Sequence, residues 1–446
     1  MAQDSSDKNQ KKYASGFGGA LGRGIVSGAA ADDPSAIGTY ASAGARFGPD
    51  ILWTAPITLP MMFTVVYLSS KLGQVSGRGL FQAIHDFYPR WLLWIVLISV
   101  VLGNTIEAAA DLGAIAASIG LFVPLPVPLL VVIVAATIFA LQVFGSYLLI
   151  RKIFRWLALT LVSYVAAALL AKPDVMATLK GTFVISIQFD KEFLSILVAI
   201  IGTTLSAYLY TWQSNEEVEE KIANGETTLK QRQGATDGEL RSSGREILIG
   251  MLFSNLIMYF IILCTGTTLH ANGQMDIDTA AQAAEALKPV AGDAAGYLFA
   301  AGVISVGFLA VPVMTTGAAY DLAQSFGWNG SLHATARETP SFYVIIAAVT
   351  AIAVVMNFLG FNPMKALVWS AIVQGFSTPP LLLLIVLMTN NREIMGDQVN
   401  SRAINVLACV TTAAIFAASF GLIVSWFYDV PPKVMTDSPV LTCAGA

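Results

Sequence analysis

The sequence predicts an all-α polytopic membrane protein: two five-helix units of inverted topology, each opening on a discontinuous helix, followed by an eleventh helix. Three observations carry the prediction. Of 446 residues, 55% are hydrophobic and only 12% charged, whereas in a soluble domain about a quarter carry charge. Apolar segments near the bilayer-spanning length of about 20 residues recur along the chain. Finally, two such segments five spans apart are interrupted by polar residues at mid-membrane depth, at Asp32-Asp33-Pro34 and at Thr203 to Tyr208.

Eleven spans are read, with limits of roughly 17–45, 50–72, 91–117, 127–150, 154–172, 192–214, 246–267, 297–323, 340–359, 364–388 and 403–427. They divide the chain into a polar tail (1–16), a first unit (17–172), a second unit (192–388), the extra helix (403–427) and a C-terminal tail (428–446). The bias of Lys and Arg, including Lys8, Lys11, Lys12, Lys71, Arg78, Arg90, Arg151, Lys152, Arg155, Lys221, Arg241 and Arg245, puts the N-terminus in the cytoplasm and the C-terminal tail outside. A cleaved signal is not expected in the polar, lysine-bearing start. The place predicted is the bacterial inner (plasma) membrane.

The first span carries two adjacent carboxylates followed by a proline. Charge inside a bilayer faces a protein-lined cavity, and proline interrupts the helical ladder. The expectation is a broken helix whose free backbone ends line a substrate site; a kinked packing helix with structural carboxylates is the bland alternative. The second span opens on Leu52-Trp53, read as an interfacial aromatic, and passes Pro56 and Pro60. In the third, Glu107 and Asp111 are spaced i,i+4 and share a face. They serve either as a proton relay or as structural partners of a Lys or Arg. The fourth is featureless up to Gln142, Gly145 and Ser146, and the alanine-rich fifth suits close helix packing.

The sixth span places Gly202, Thr203, Thr204, Ser206, Tyr208, Tyr210 and Trp212 at mid-membrane depth. Hydroxyls there satisfy backbone exposed by an unwound turn, or bond only to the carbonyls of an ordinary helix. The acidic run Asn215 to Glu220 reads as a solvated helix end. The seventh span carries Asn255, and a helical stretch over Ala280–Leu287 precedes the eighth, which holds Pro312, Thr315, Thr316 and Asp321. A compact turn at Gly360 to Pro363 leads to the tenth, with Ser370 and Gln374. The eleventh is apolar and peripheral. Five-helix inverted units would bring the two breaks together near the midplane; a channel's filter loop or polar stripe is not evident.

Other chemistry is sparse. Cys264, Cys409 and Cys443 make no paired spacing, and His85, His270 and His333 fall in loops or at helix ends, so no zinc-like or haem-like cluster is expected. No acid, base and nucleophile share one depth, so an enzyme is not expected.

Several of these residues resemble the NRAMP family of proton-coupled divalent-metal transporters, which have the LeuT-type fold. The match runs from about residue 17 to 427 and rests on Asp33-Pro34 with Gly44 following, Leu72-Gly73 through Gly77-Arg78, Asp111-Leu112, and Asn362-Pro363-Met364-Lys365-Ala366-Leu367. The family's metal motifs are altered. Its Asp-Pro-Gly-Asn stands here as Asp33-Pro34-Ser35-Ala36, and its Met-Pro-His as Ser206-Ala207-Tyr208. Its Asp-Leu-Ala-Glu stands as Asp111-Leu112-Gly113-Ala114, and Ala371 replaces the glutamine of the tenth span. The soft sulfur ligand is gone, which by itself shifts selectivity toward harder ions such as Mg²⁺ or Mn²⁺.

With one clear carboxylate left and aromatics added, the leading expectation is a proton-coupled carrier of a small polar organic solute. An amide or amide-bearing acid such as 5-oxoproline is favoured, because similar divergent relatives resemble products encoded near genes for 5-oxoproline or amide breakdown. Substrate-binding residues are expected at Asp33, Ser35, Ala36, Thr203, Thr204, Ser206, Tyr208 and Gln374, and a proton pathway at Asp32, Asp33, Glu107 and Asp111. The alternatives are a divalent-metal transporter of the NRAMP type using Asp33, and a receptor-like membrane protein that turns nothing over. No cofactor is expected beyond protons as the coupling ion. The expected partners are the solute, H⁺ and lipid, with no nucleic acid, in a monomer.

Overall fold

The protein is described by a computed structural model over residue 28 and residues 31–144, 159–328, 330–331 and 334–427. The two tails, the start of the first span, Gly145, Ser146, Arg151, Lys152, Arg155, His333 and Cys443 lie outside the described residues.

The described residues form helices and connecting turns. The principal helices are α1 (Pro34–Phe47), α2 (Thr54–Ser76), α3 (Leu80–Phe87), α4 (Arg90–Ile119), α5 (Val127–Phe144), α6 (Val162–Leu170), α7 (Lys191–Thr204), α8 (Ala207–Ala223), α9 (Asp237–Thr268), α10 (Ala295–Phe326), α11 (Pro340–Asn357), α12 (Pro363–Asn390) and α13 (Arg402–Phe427). Eight segments among them are long and apolar enough to cross a membrane, with α7 and α8 taken together as one. A ninth is the pair formed by Pro34–Ile51 and Thr54–Ser76, bent by 116°. The bend turns α2 sharply away from the direction of α1. The described part of the fifth span is a short 3-10 turn, Leu159–Leu161, running into α6 of 9 residues. This is the LeuT-type arrangement, with interrupted first and sixth helices.

Local chemistry sets where the helices begin. Asp33 has extended backbone (φ −64°, ψ 172°) and caps α1, while Pro34 occupies the first helical position. Proline there gives up no intrahelical bond and arrives with helical φ. Ala31 is helical and Asp32-Asp33 are not, so the first helix breaks where the carboxylates and proline predict. In the sixth, α7 stops at Thr204, Leu205 leaves helical geometry, and Ser206 begins α8. No proline is needed, because the freed Leu205 carbonyl accepts hydrogen bonds from Tyr210 Oη and from Thr378 Oγ1 at 3.0 Å. Asn362 caps α12, its Oδ1 accepting from the amides of Met364 and Lys365.

Helix α1 sits inside the bundle, packed on α7, α9 and α12. Its crossing with α9 is close: a Cβ on Gly44 would lie 2.1 Å from Thr265 Oγ1 and 2.3 Å from the Ile262 carbonyl. Small residues permit such backbone approach between membrane helices. Helix α13 packs on α7, α12 and α2 and leaves Val406, Val410 and Phe420 exposed, as a peripheral helix should.

Two local expectations are corrected. Trp53, read as an interfacial aromatic, is buried in the turn between α1 and α2 instead of exposed at the surface. The acidic run is not simply a solvated end: α8 continues through it to Ala223, Asn215 is buried, and Glu217 accepts hydrogen bonds from Ser70, Gln213 and Ser243.

Candidate functional site

The two helix breaks meet through α4. Asp33, Ser35, Ser206, Tyr208, Glu107, Asp111 and Gln374 are all fully buried. Asp33 uses one carboxylate oxygen to accept from its own helix, at the Ala36 amide (2.6 Å), and the other to accept from the Tyr208 hydroxyl (3.1 Å). The first contact is an N-cap and the second ties break one to break two.

Glu107 is the hub. Its Oε1 accepts from Ser35 Oγ (3.3 Å) and Ser206 Oγ (3.2 Å), and its Oε2 accepts from Gln374 Nε2 (2.6 Å). One turn further along α4, Asp111 Oδ1 accepts from the Ser35 amide at 3.0 Å. The i,i+4 spacing therefore aims both carboxylates at the N-terminus of α1. Free amides and the helix dipole make such an end favourable to negative charge. Among the described residues no ion pair forms to Asp33, Glu107 or Asp111. The structural-pair alternative for Glu107 and Asp111 thus finds no basic partner.

Polar capacity is left over. Asp111 Oδ2, Asp32 Oδ2 and Thr203 Oγ1 are buried without a hydrogen-bond partner, as is Asn104 Nδ2. Buried polar atoms are nearly always satisfied, so unsatisfied oxygens here mark a place that a ligand or proton can complete. No three His, Cys, Asp or Glu side chains among the described residues form a ready-made metal cage.

The structure gathers most, but not all, of the expected residues. Asp33, Ser35, Ser206, Tyr208, Glu107, Asp111 and Gln374 come together. Asp32 turns away, accepting from Ser254 Oγ on α9 at 2.8 Å. Thr204 pairs with Tyr40 Oη at 2.9 Å, and Ala36 contributes its backbone amide to Asp33 rather than to open space. Ser370 joins the network through a 3.4 Å contact from its hydroxyl to Ser35 Oγ, and Asn104 Oδ1 accepts from Gln374 Nε2 at 3.1 Å. Neither was expected as a site residue, although each lies one helical turn from one that was: Asn104 from Glu107, Ser370 from Gln374. Ala371, at the family's glutamine position, instead packs where α12 meets Gly202 of α7.

Comparison with known proteins agrees with this architecture. Residues 24–425 match the profile of the Nramp family, described as natural resistance-associated macrophage protein-like. The divalent metal cation transporter MntH of Klebsiella pneumoniae (strain 342) is 26% identical over 400 residues, spanning 88% of this chain and 90% of its own. MntH of Bacillus subtilis (strain 168) is 27% identical over 425 residues, spanning 91% and 92%. The crystal structure of an Eremococcus coleocola manganese transporter, in complex with an aromatic bis-isothiourea compound, superposes with a TM-score of 0.69 at 18% identity. It covers 92% of this chain and 88% of that one.

The expectation of an organic solute, and of an amide or 5-oxoproline as partner, is corrected by these relatives, which are named for divalent metal cations. The side chains that prompted it have structural duties. Tyr208 bonds Asp33, Tyr210 satisfies the broken backbone at Leu205, and Trp212 packs on the core. Asp33, Glu107 and Asp111 also offer no basic side chain among the described residues to pair with the carboxylate of an organic acid. Multi-pass membrane transport is the shared trade of the relatives, and the match extends over nearly the whole length of the chain, so this protein belongs to the Nramp family.

Proposed function

We propose that this protein carries a divalent metal cation, Mn²⁺ or Mg²⁺, across the bacterial inner membrane by alternating access, coupled to protons. The observation that carries the reading is the convergence of Asp33, Glu107 and Asp111, all fully buried and without a basic partner among the described residues, on the break of the first helix. A cation is the ligand class that offsets buried negative charge. Asp33 is the principal ligand in this reading, with oxygens from Ser35 and Ser206 and retained water completing a hard, oxygen-only shell of the kind these ions accept. The names of the MntH relatives and of the manganese transporter support the same substrate class.

Proton coupling draws support from Glu107 and Asp111, whose one shared partner is Ser35 at the site itself. The distribution of Lys and Arg supports a cytoplasmic N-terminus. The protein is a carrier and not an enzyme in this reading, working as a monomer with the lipid bilayer as its surroundings.

Uptake of Mn²⁺ or Mg²⁺ into proteoliposomes under an inward pH gradient tests the proposal. The wild-type protein accumulates the ion, excess 5-oxoproline leaves uptake unchanged, and Asp33→Asn abolishes it. A wild-type protein that moves neither ion, or an Asp33→Asn variant that moves it as well as wild type, overturns the reading.

A further inference from the structure

Asp321 lies in the half of α10 beyond the binding region, and nothing in the network around Ser35 uses it. Its side chain is completely buried, and both carboxylate oxygens lack a hydrogen-bond partner. Its position in the seam between α10 and α8 follows from its neighbours. Four residues before it, a Cβ on Gly317 would touch Thr211 Oγ1 of α8 at 3.4 Å. Three residues after it, Gln324 Nε2 donates to Asn215 Oδ1 of α8 at 2.6 Å. Residues at these spacings share one helical face, so Asp321 is bracketed by two contacts to α8.

The same stretch of α8 runs back to the binding region in helical steps. Asn215 Nδ2 donates to the Thr211 carbonyl (2.8 Å), Thr211 Oγ1 donates to the Tyr208 carbonyl (3.1 Å), and the Tyr208 hydroxyl donates to Asp33. In the other direction the seam ends in a polar cluster where Gln324 Oε1 accepts from the Gln82 amide of α3 at 3.1 Å.

Among the described residues, the elements packed on α10 bring no counter-charge to Asp321. On α8, Glu219 accepts from Tyr320 Oη. On α3, His85 and Asp86 engage each other, and Asp86 also engages Arg78. Arg90 opens α4 at an exposed position, and the acids of α4, Glu107 and Asp111, belong to the binding region. Helix α5 has no charged residue, α11 has only Tyr343 as a titratable group, and Arg46 of α1 pairs with Glu192. No ion pair to Asp321 forms among the described residues. An ionised carboxylate buried without partners costs several kcal/mol, and the neutral acid avoids that cost.

We propose that Asp321 is a second proton station of the transporter, separate from the carboxylates around Ser35, which holds its proton while α8 and α10 are packed and exchanges it with water when they part. The proton leaves the carboxyl oxygen for water admitted at the Gln324–Asn215 end of the seam, and the carboxylate that remains is hydrated while the seam is open. This deepens the proton-coupled reading above and rests on it for the transport measurement alone.

Infrared difference spectroscopy on the full-length protein in detergent tests whether Asp321 carries a proton, and Mn²⁺-driven proton uptake into proteoliposomes, followed with an entrapped pH-sensitive dye, tests whether that proton moves. Wild type minus Asp321→Asn shows a protonated-carboxyl band. Asp321→Glu restores such a band at shifted frequency, and carries the comparison if Asp321→Asn does not fold. Proton uptake is lost in Asp321→Asn and returns in Asp321→Glu. Absence of the band, or proton uptake in Asp321→Asn equal to wild type, overturns the proposal. A wild-type protein that moves no Mn²⁺ defeats the proposed function, while the infrared comparison still decides whether Asp321 bears the proton.

Discussion

Glu107 is the residue whose replacement most directly separates binding chemistry from architecture. Three donors on three elements converge on its carboxylate: Ser35 on α1, Ser206 at the start of α8, and Gln374 on α12. Glu107→Ala removes the acceptor of all three and leaves a cavity between the two breaks. At about 1 kcal/mol net for each hydrogen bond, plus a cavity term of similar size, the cost is roughly 4 kcal/mol. Glu107→Gln keeps the shape and one acceptor oxygen for the two serines. Its new amide group would then face the Gln374 amide nitrogen, a conflict that reversal of Gln374 relieves, since the Ser377 hydroxyl, which now donates to Gln374 Oε1 at 2.9 Å, can accept instead. Asn104 can reverse with it, because its own amide nitrogen has no partner to lose. The isosteric change should therefore cost about 1 kcal/mol. Thermal unfolding in detergent reads the stability difference, and metal uptake in proteoliposomes reads function. The expected pattern is a large loss of melting temperature for Ala, a small one for Gln, and loss of uptake in both. Wild-type uptake in Glu107→Gln would remove the carboxylate from the mechanism, and a wild-type melting temperature in Glu107→Ala would refute its role as the joint between the two breaks.

Two further predictions concern the surroundings of the site. Gly44→Val places side-chain atoms where a Cβ already meets Thr265 Oγ1 at 2.1 Å and the Ile262 carbonyl at 2.3 Å; the α1–α9 crossing must open, at the upper end of the usual 1–3 kcal/mol overpacking range (about 3 kcal/mol), read as a lowered melting temperature. Arg46 pairs with Glu192 at 2.6 Å and with Asp276, at partly exposed positions, where ion pairs contribute about 0–1 kcal/mol. Arg46→Gln should thus leave the melting temperature nearly unchanged yet loosen the contact of α1 with α7, read as faster thiol labelling at Ser42→Cys in a background with Cys409 and Cys443 replaced by Ser.

The parts of the site that could be read from sequence are those where backbone geometry and residue type make the same demand. Asp33-Pro34 is such a case: an acceptor at the N-cap followed by a residue without an amide hydrogen suits the start of a helix, and α1 starts there. Glu107 and Asp111 are another, because helical spacing alone puts them on one face. The sixth-span aromatics could not be resolved in this way. A tyrosine offers an apolar face and a hydroxyl, and sequence does not say whether that hydroxyl meets cargo, a carboxylate or an orphaned carbonyl. Tyr208 meets Asp33 and Tyr210 meets Leu205. Counting Asp33 as the one remaining carboxylate also undervalued α4, whose acids reach the site only through the way α1 and α4 cross. Asn104 and Ser370 were hidden for the same reason, since each depends on the rotation of its helix against a neighbour rather than on any local motif.

If the proposed function holds, the arrangement around Ser35 also bears on how a cation is both bound and released. A site that balances its acids with Lys or Arg would have to expel a fixed positive charge before admitting a metal ion. Here the balance comes instead from hydroxyls, amides and the N-terminal end of α1, where the Ala36 amide donates to Asp33 and the Ser35 amide to Asp111. Neutral donors of this kind can turn aside when an ion arrives and return when it leaves. Glu107 touches both serines at the two breaks, so any ion or proton that competes for its oxygens loosens the link between α1 and α8 in the same step. Under the proposed function, binding and the relative movement of the two broken helices are then one event, which is the coupling an alternating-access carrier requires.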